Sequence, residues 1–282
     1  AVQPASLQPA GAVQPAGSFP PSPKPPLTRG QADALAAIDA ARSRGAGEVV
    51  LVDGVTGSGK TEVYLQAIER TLAEGRRAIV LVPEISLTPQ TVARFRGRFG
   101  DAVAVMHSRM SDGERYDQWD FIKSGAAKVV VGARSALFTP AANVGLIVID
   151  EEHEGSYKSE NAPRYHAREA AIERARMCGA FVVLGSATPS VDSYERTKEG
   201  LYRLYELPFR VENRAMPETE VVDLREELRM GNRSIFSARL KELMEDRLRK
   251  GEQIMLFLNR RGYAGFVSCR ACGHVIKCPH CD

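Results

Sequence analysis

The chain has 282 residues, 44% of them hydrophobic and 26% charged, an ordinary globular composition with material for one large domain or two smaller ones. Its net charge of +3 is compatible with nucleic acid but does not by itself point to it. No apolar run approaches the ~18–20 residues that span a bilayer. The N-terminus also lacks a charged-then-apolar leader pattern, so a membrane or secreted protein is disfavoured and a cytoplasmic one expected.

Residues 1–26 hold eight of the sixteen prolines and one charged side chain, Lys24, which reads as a Pro/Ala/Gln-rich linker without stable structure. Order is expected from Leu27, with Thr28 capping a helix that runs to about Arg44. Six apolar runs follow: 48–53, 78–83, 103–107, 128–133, 146–150 and 181–186. They are short, β-branched and apolar throughout, the pattern of strands buried on both faces. Amphipathic stretches at about 60–74, 88–98, 111–124 and 168–177 lie between them. This alternation predicts an α/β domain with a doubly wound parallel sheet. A change near residue 205, the "ETEVVDL" run from 218, a helix at 237–249 and "IMLFLN" at 254–259 read as the beginning of a second α/β unit.

"GVTGSGKT" at 54–61 follows the first predicted strand and opens a helix, matching G-x-x-x-x-G-K-[ST] in full. Gly54, Gly57 and Gly59 let the backbone turn tightly, and Thr56, Ser58 and the turn N–H groups face the space they enclose. Lys60 supplies a charge for the β/γ-phosphates of ATP, and the Thr61 hydroxyl suits Mg²⁺. "LIVIDEEHEGSYK" at 146–158 then sets three carboxylates side by side at a strand end, which a bound cation makes tolerable. Asp150 is expected to hold Mg²⁺ through water, with Glu151 orienting the attacking water as general base. "GSATPS" at 185–190 offers Gly185, Ser186 and Thr188 as a coupling turn, its hydroxyls reaching the acidic cluster. Tyr157, Lys158, Arg164, Tyr165, His166 and Arg168 mix rings with cations, as single-strand binding requires, although Tyr and Arg in a loop are often plain surface residues.

The order of these three motifs resembles that of the superfamily 2 helicases. "LVPEISLTPQ", "GARSALFTP", "RYHARE" and "LFLNRRGY" followed by cysteine pairs narrow the likeness to the primosomal replication-restart helicases, over roughly residues 27–282. The resemblance implies a RecA-like first lobe at 27–204, the start of a second lobe at 205–268, and 3′-to-5′ movement on single-stranded and forked DNA driven by ATP hydrolysis. Expected partners are primosome and helicase-loading proteins and single-stranded DNA-binding protein, with a nucleoid-associated location. It further implies that Gln31 reads adenine, that Thr88, Arg134 and Ser135 contact the DNA backbone, and that the aromatic-rich loop couples DNA binding to the acid pair.

The tail at 269–282 reads C-x2-C-x5-C-x2-C, through Cys269, Cys272, Cys278 and Cys281. Such pairs chelate Zn²⁺ well, but the five-residue gap is short for one closed site. The resemblance implies two zinc sites, with one pair contributed to each and the partner pairs beyond residue 282. Cys178 reads as a small core residue. Residue 1 is Ala and the chain stops on a cysteine pair, so both ends read as cut. The family's second-lobe motifs, including an arginine that reaches the γ-phosphate and is worth ~10³–10⁵ in rate, are expected to be absent. These residues alone are therefore expected to hydrolyse ATP slowly and unwind nothing. The rival reading is a nucleotide-binding, fork-recognising scaffold without motor activity.

Overall fold

A computed structural model describes residues 21–44, 46–211 and 217–257. The cysteine tail, and Arg260 and Arg261 of "LFLNRRGY", lie outside the described residues. The chain divides into two compact units near residue 215.

In the first unit, seven strands form one parallel sheet. They are β1 (Val49–Gly54), β2 (Arg77–Leu81), β3 (Val103–Met106), β4 (Val129–Gly132), β5 (Val144–Asp150), β6 (Phe181–Ser186) and β7 (Arg203–Leu207), in the order β3-β4-β2-β5-β6-β1-β7. Helices α1 (Arg29–Arg44), α2 (Lys60–Ala73), α3 (Pro89–Phe99), α4 (Asp112–Lys123), α5 (Ala167–Cys178) and α6 (Val191–Lys198) connect and cover them. The doubly wound α/β expectation holds. Successive residues of each strand feed opposite cores: Val50 and Val52 pack with Leu35, Ile38 and Ile68, whereas Val49 and Leu51 pack with Ile147, Ala171 and Ile172. Both faces are dry, hence the unbroken apolar runs.

The boundary expected near 205 falls inside β7, which pairs with β1 along Val50↔Arg203 to Gly54↔Leu207. This edge strand, "RLYEL", has only its last residue buried, so it lacks the continuous apolar signal of the others. The second unit's described residues hold α7 (Leu224–Arg229) and α8 (Ala238–Arg249), capped by Asp223 and Ser237. The two strand-like runs expected there are not strands among the described residues. Val221, Met255 and Phe257 are exposed, and no strand among the described residues lies beside them to receive their backbone bonds.

The sheet sets its motifs in a row. Asp53 at the end of β1 lies opposite Ser186 of β6, and Asp150 of β5 lies opposite Gly185. The C-terminal ends of adjacent parallel strands are where α/β sheets bind ligands.

Candidate functional site

Between β1 and α2 the chain makes a tight turn whose Gly59 has φ 82°. A side chain there would be strained and would overlap the Gln31 amide. Lys60 is buried and donates from Nζ to the Gly54 carbonyl at 2.7 Å. The Ser58 hydroxyl is buried without a partner among the described residues. Gln31 closes the turn from α1. Its Oε1 accepts from Thr28 N–H (2.9 Å) and its N–H donates to Thr28 Oγ1 (3.3 Å), a reciprocal cap, while Nε2 donates to Ser58 O at 2.9 Å. One residue thus starts the first helix and fixes the phosphate loop.

The three adjacent carboxylates part company. Asp150 is partly buried and accepts from the Tyr64 hydroxyl at 3.3 Å. Its carboxyl is pushed up to about 6, first by burial and then by Glu151, with Lys60 pulling the other way. Tyr64 is raised well above its usual range, by burial and by the Asp150 charge, so it stays a donor. Glu151 takes a left-handed backbone, φ 48°, rare outside glycine. Its neighbours impose it: Glu152 N–H donates to Gly185 O (3.0 Å), and the Tyr157 hydroxyl donates to Asp150 O (2.6 Å). Glu152 turns into the protein. It is 1% exposed and receives Ser190 N–H (2.6 Å), the Ser190 and Ser193 hydroxyls (3.0 and 2.8 Å) and Arg168 Nη1 (3.2 Å). Two carboxylates therefore face the phosphate loop's end of the sheet, while the third anchors α6.

His153 joins the acid motif to the coupling turn. Its Nδ1 lies 2.7 Å from Ser186 Oγ, its Nε2 3.5 Å from Thr188 Oγ1, and Thr188 N–H donates to Ser186 Oγ (2.9 Å). Ser186 donating to Nδ1, with Nε2–H toward Thr188, satisfies all three contacts. Gly185 leaves no room for a Cβ, which would overlap the Tyr64 hydroxyl.

The expected DNA-contacting residues separate. Lys158, Arg164 and Tyr165 line an open cleft of about 490 Å³ with Ser159, Glu160 and His166. Arg134 stands 5.6 Å from the Tyr165 ring centre and donates from Nη1 to the carbonyls of Ser156 (3.0 Å) and Lys158. Exposed Phe138 meets Tyr165 edge-to-face at 5.0 Å, and Ser135 is exposed on the same turn. Tyr157 and Arg168 depart from expectation. Tyr157 is 1% exposed, with no ring face open to a base, and Arg168 is buried with its charge spent on Glu152. Thr88 caps α3, accepting Thr91 N–H at 3.2 Å. Cys178, expected in the core, is exposed at the end of α5.

The sequence reading passed over Tyr64, Glu152, His153, Ser190 and Ser193 as site residues. Glu152 and His153 lie inside the acid motif itself. Tyr64, one turn beyond Lys60, looks like any core aromatic of an amphipathic helix.

The family profile described as DEAD/DEAH box helicase matches residues 28–197. The replication restart protein PriA of Bacillus subtilis is 58% identical over 91% of this chain. Those of Synechocystis and Haemophilus influenzae are 51% and 47% identical, each over 83%. The chain spans about a third of these relatives, 32%, 29% and 32% of their lengths. With the phosphate loop, the acid pair and the Ser-Ala-Thr turn on adjacent strand ends, and more than half its length matched by the profile, the chain belongs to the DEAD/DEAH box helicase family.

Proposed function

We propose that this chain is the nucleotide-binding lobe, with the start of the second lobe and of a zinc segment, of an ATP-driven 3′-to-5′ DNA translocase that restarts replication at stalled forks. The observation that carries this reading is the single row formed by Lys60 on its loop, Asp150–Glu151 and Ser186–His153 at neighbouring strand ends. The relatives' printed names supply the replication-restart context.

The residues present fit ATP and Mg²⁺. A Cβ at Gly54 would meet Ser58 Oγ at 2.7 Å and Lys60 Cγ at 3.0 Å, so the cradle admits backbone only, and the buried Ser58 hydroxyl has no partner among the described residues. Gly57, Gly59 and the first N–H groups of α2 face the phosphates, with Thr56 and Ser58 beside them. Lys60 exchanges the Gly54 carbonyl for phosphate oxygen. Thr61 and Asp150 would hold Mg²⁺, which when bound neutralises phosphate charge. Glu151 orients water, and the His153–Ser186 link makes that carboxylate sensitive to the Gly185–Thr188 turn. Gln31, already bonded to Ser58 O, ties base recognition to loop closure.

Arg134, Ser135, Lys158, Arg164 and Tyr165 form the DNA face, with rings for bases and cations for phosphates. Cys269 and Cys272 belong to one zinc site, Cys278 and Cys281 to another. Primosome and helicase-loading proteins, single-stranded DNA-binding protein and a cytoplasmic, nucleoid-associated setting follow from the same reading. No helix among the described residues is long and apolar enough to cross a membrane.

The test is ATP turnover by the full-length protein with and without single-stranded DNA, beside Lys60→Ala. DNA-stimulated turnover lost in the variant is expected. Nucleotide binding without any turnover would favour the scaffold reading, and an unaffected Lys60→Ala protein would overturn the phosphate-loop assignment.

A further inference from the structure

After β7 the chain returns along the phosphate loop. Val55 N–H donates to Leu207 O (3.1 Å) and Val211 N–H to Gly57 O (3.0 Å), so residues 207–211 form a strap tied to the loop at two points. Arg210 lies between the ties. A Cβ at Gly57 would stand 3.7–3.8 Å from its Cγ, Cδ and Nε, so the stem runs alongside the loop's outer glycine. Val211 continues along it, its Cγ2 3.2 Å from a Cβ at Gly59. The Arg210 Nε is buried with no hydrogen-bond partner among the described residues, like the Ser58 hydroxyl one residue beyond Gly57.

A buried, unpaired donor on a cation costs more than one on a neutral group. Other partly or fully buried arginines in this unit do not tolerate it. Arg174 donates to three carbonyls, those of Leu137, Thr139 and Ala141, and Arg76 to those of Val144, Cys178 and Gly179. Two orphaned donors flanking one glycine of a phosphate loop have a common remedy: an anion with several acceptor oxygens.

We propose that Arg210 is a further ligand of the nucleotide's polyphosphate, delivered in cis by the strap that follows β7. The inference rests on the nucleotide-site reading above and adds a residue outside all three motifs. Lys60 approaches the phosphates as a point charge from inside the turn. Arg210 brings a planar fork from the strap side, able to hold two oxygens at once. Because the strap's ties to the loop are backbone bonds, replacing the side chain leaves them in place.

The experiment is equilibrium binding of a fluorescent ADP derivative to the full chain in excess Mg²⁺, with tripolyphosphate as competitor. The proteins are the parent, Arg210→Ala, Arg210→Gln, Arg210→Lys and Lys60→Ala, each checked by urea denaturation. Arg210→Ala and Arg210→Gln are expected to weaken both ligands by about tenfold or more, with partial recovery in Arg210→Lys and ligand-free denaturation midpoints no lower than the parent's. Should Arg210→Ala fail to fold, Arg210→Gln keeps the stem beside Gly57 and carries the comparison. Binding within about twofold of the parent in the Arg210 variants, while Lys60→Ala loses it, would overturn the proposal and leave the nucleotide site standing. Parent-like binding by Lys60→Ala would overturn the nucleotide-site reading and the proposal with it.

Discussion

Replacing Asp150 by Asn tests the electrostatics of the site. The carboxyl stands at about 6 because burial and Glu151 both disfavour its charge. An aspartate raised in the folded protein still holds a proton that the unfolded chain has already released. Stability therefore falls as pH rises from about 4 to about 6, and the deficit is complete at pH 7.5. Moving from the ordinary 3.8 to about 6 corresponds to about 3 kcal/mol at ~1.4 kcal/mol per pH unit. Partial exposure reduces the expected effect to about 1–2 kcal/mol. Asparagine keeps an acceptor for Tyr64 and discards the charge. Asp150→Asn should thus be more stable than the parent at pH 7.5 without nucleotide or divalent cation, by about 2–4 °C in midpoint per kcal/mol, and indistinguishable from it near pH 4. Thermal denaturation of both proteins at the two pH values measures this. A variant no more stable at pH 7.5, or an advantage of equal size at both values, would refute the reasoning.

Glu152→Ala should cost about 3–5 kcal/mol in urea denaturation, because it leaves the Arg168 guanidinium and two serines of the α6 start without their buried acceptor; a loss under about 1 kcal/mol would contradict that role. Gly185→Ala should destabilise by about 1–3 kcal/mol through overlap with Tyr64, and a thermal-melt cycle should show Tyr64→Phe recovering part of it. Additive costs in that cycle would mean the two residues do not touch. Phe138→Ala in the full-length protein should weaken single-stranded DNA binding by about 1–3 kcal/mol if its exposed ring joins Tyr165 in stacking, read by fluorescence anisotropy at fixed salt.

Six of the seven strands were legible because each is buried on both faces and so carries an unbroken apolar run. β7 was not, since an edge strand leaves its outer residues in water and Arg203 and Glu206 interrupt the pattern. The phosphate loop and acid pair were legible because their spacing is a local requirement of turn geometry and charge. The fate of the third carboxylate was not. Glu152 differs from Glu151 only in the donors that α5 and α6 bring to it, and those lie 16 to 41 residues away in sequence. The same holds for Tyr157 and Arg168. Their residue types suit a DNA face, yet packing buries one ring beneath Asp150 and pairs the other's charge with Glu152. Periodicity and motif spacing, then, determined which segments become strands and where the glycine-rich turn between β1 and α2 falls, because burial on both faces and tight glycine turns leave marks within a few residues. Only the tertiary structure decided which charges face the ligand and which serve the core, because a carboxylate or guanidinium is tolerated wherever distant elements deliver partners, and no local pattern records where those partners come from.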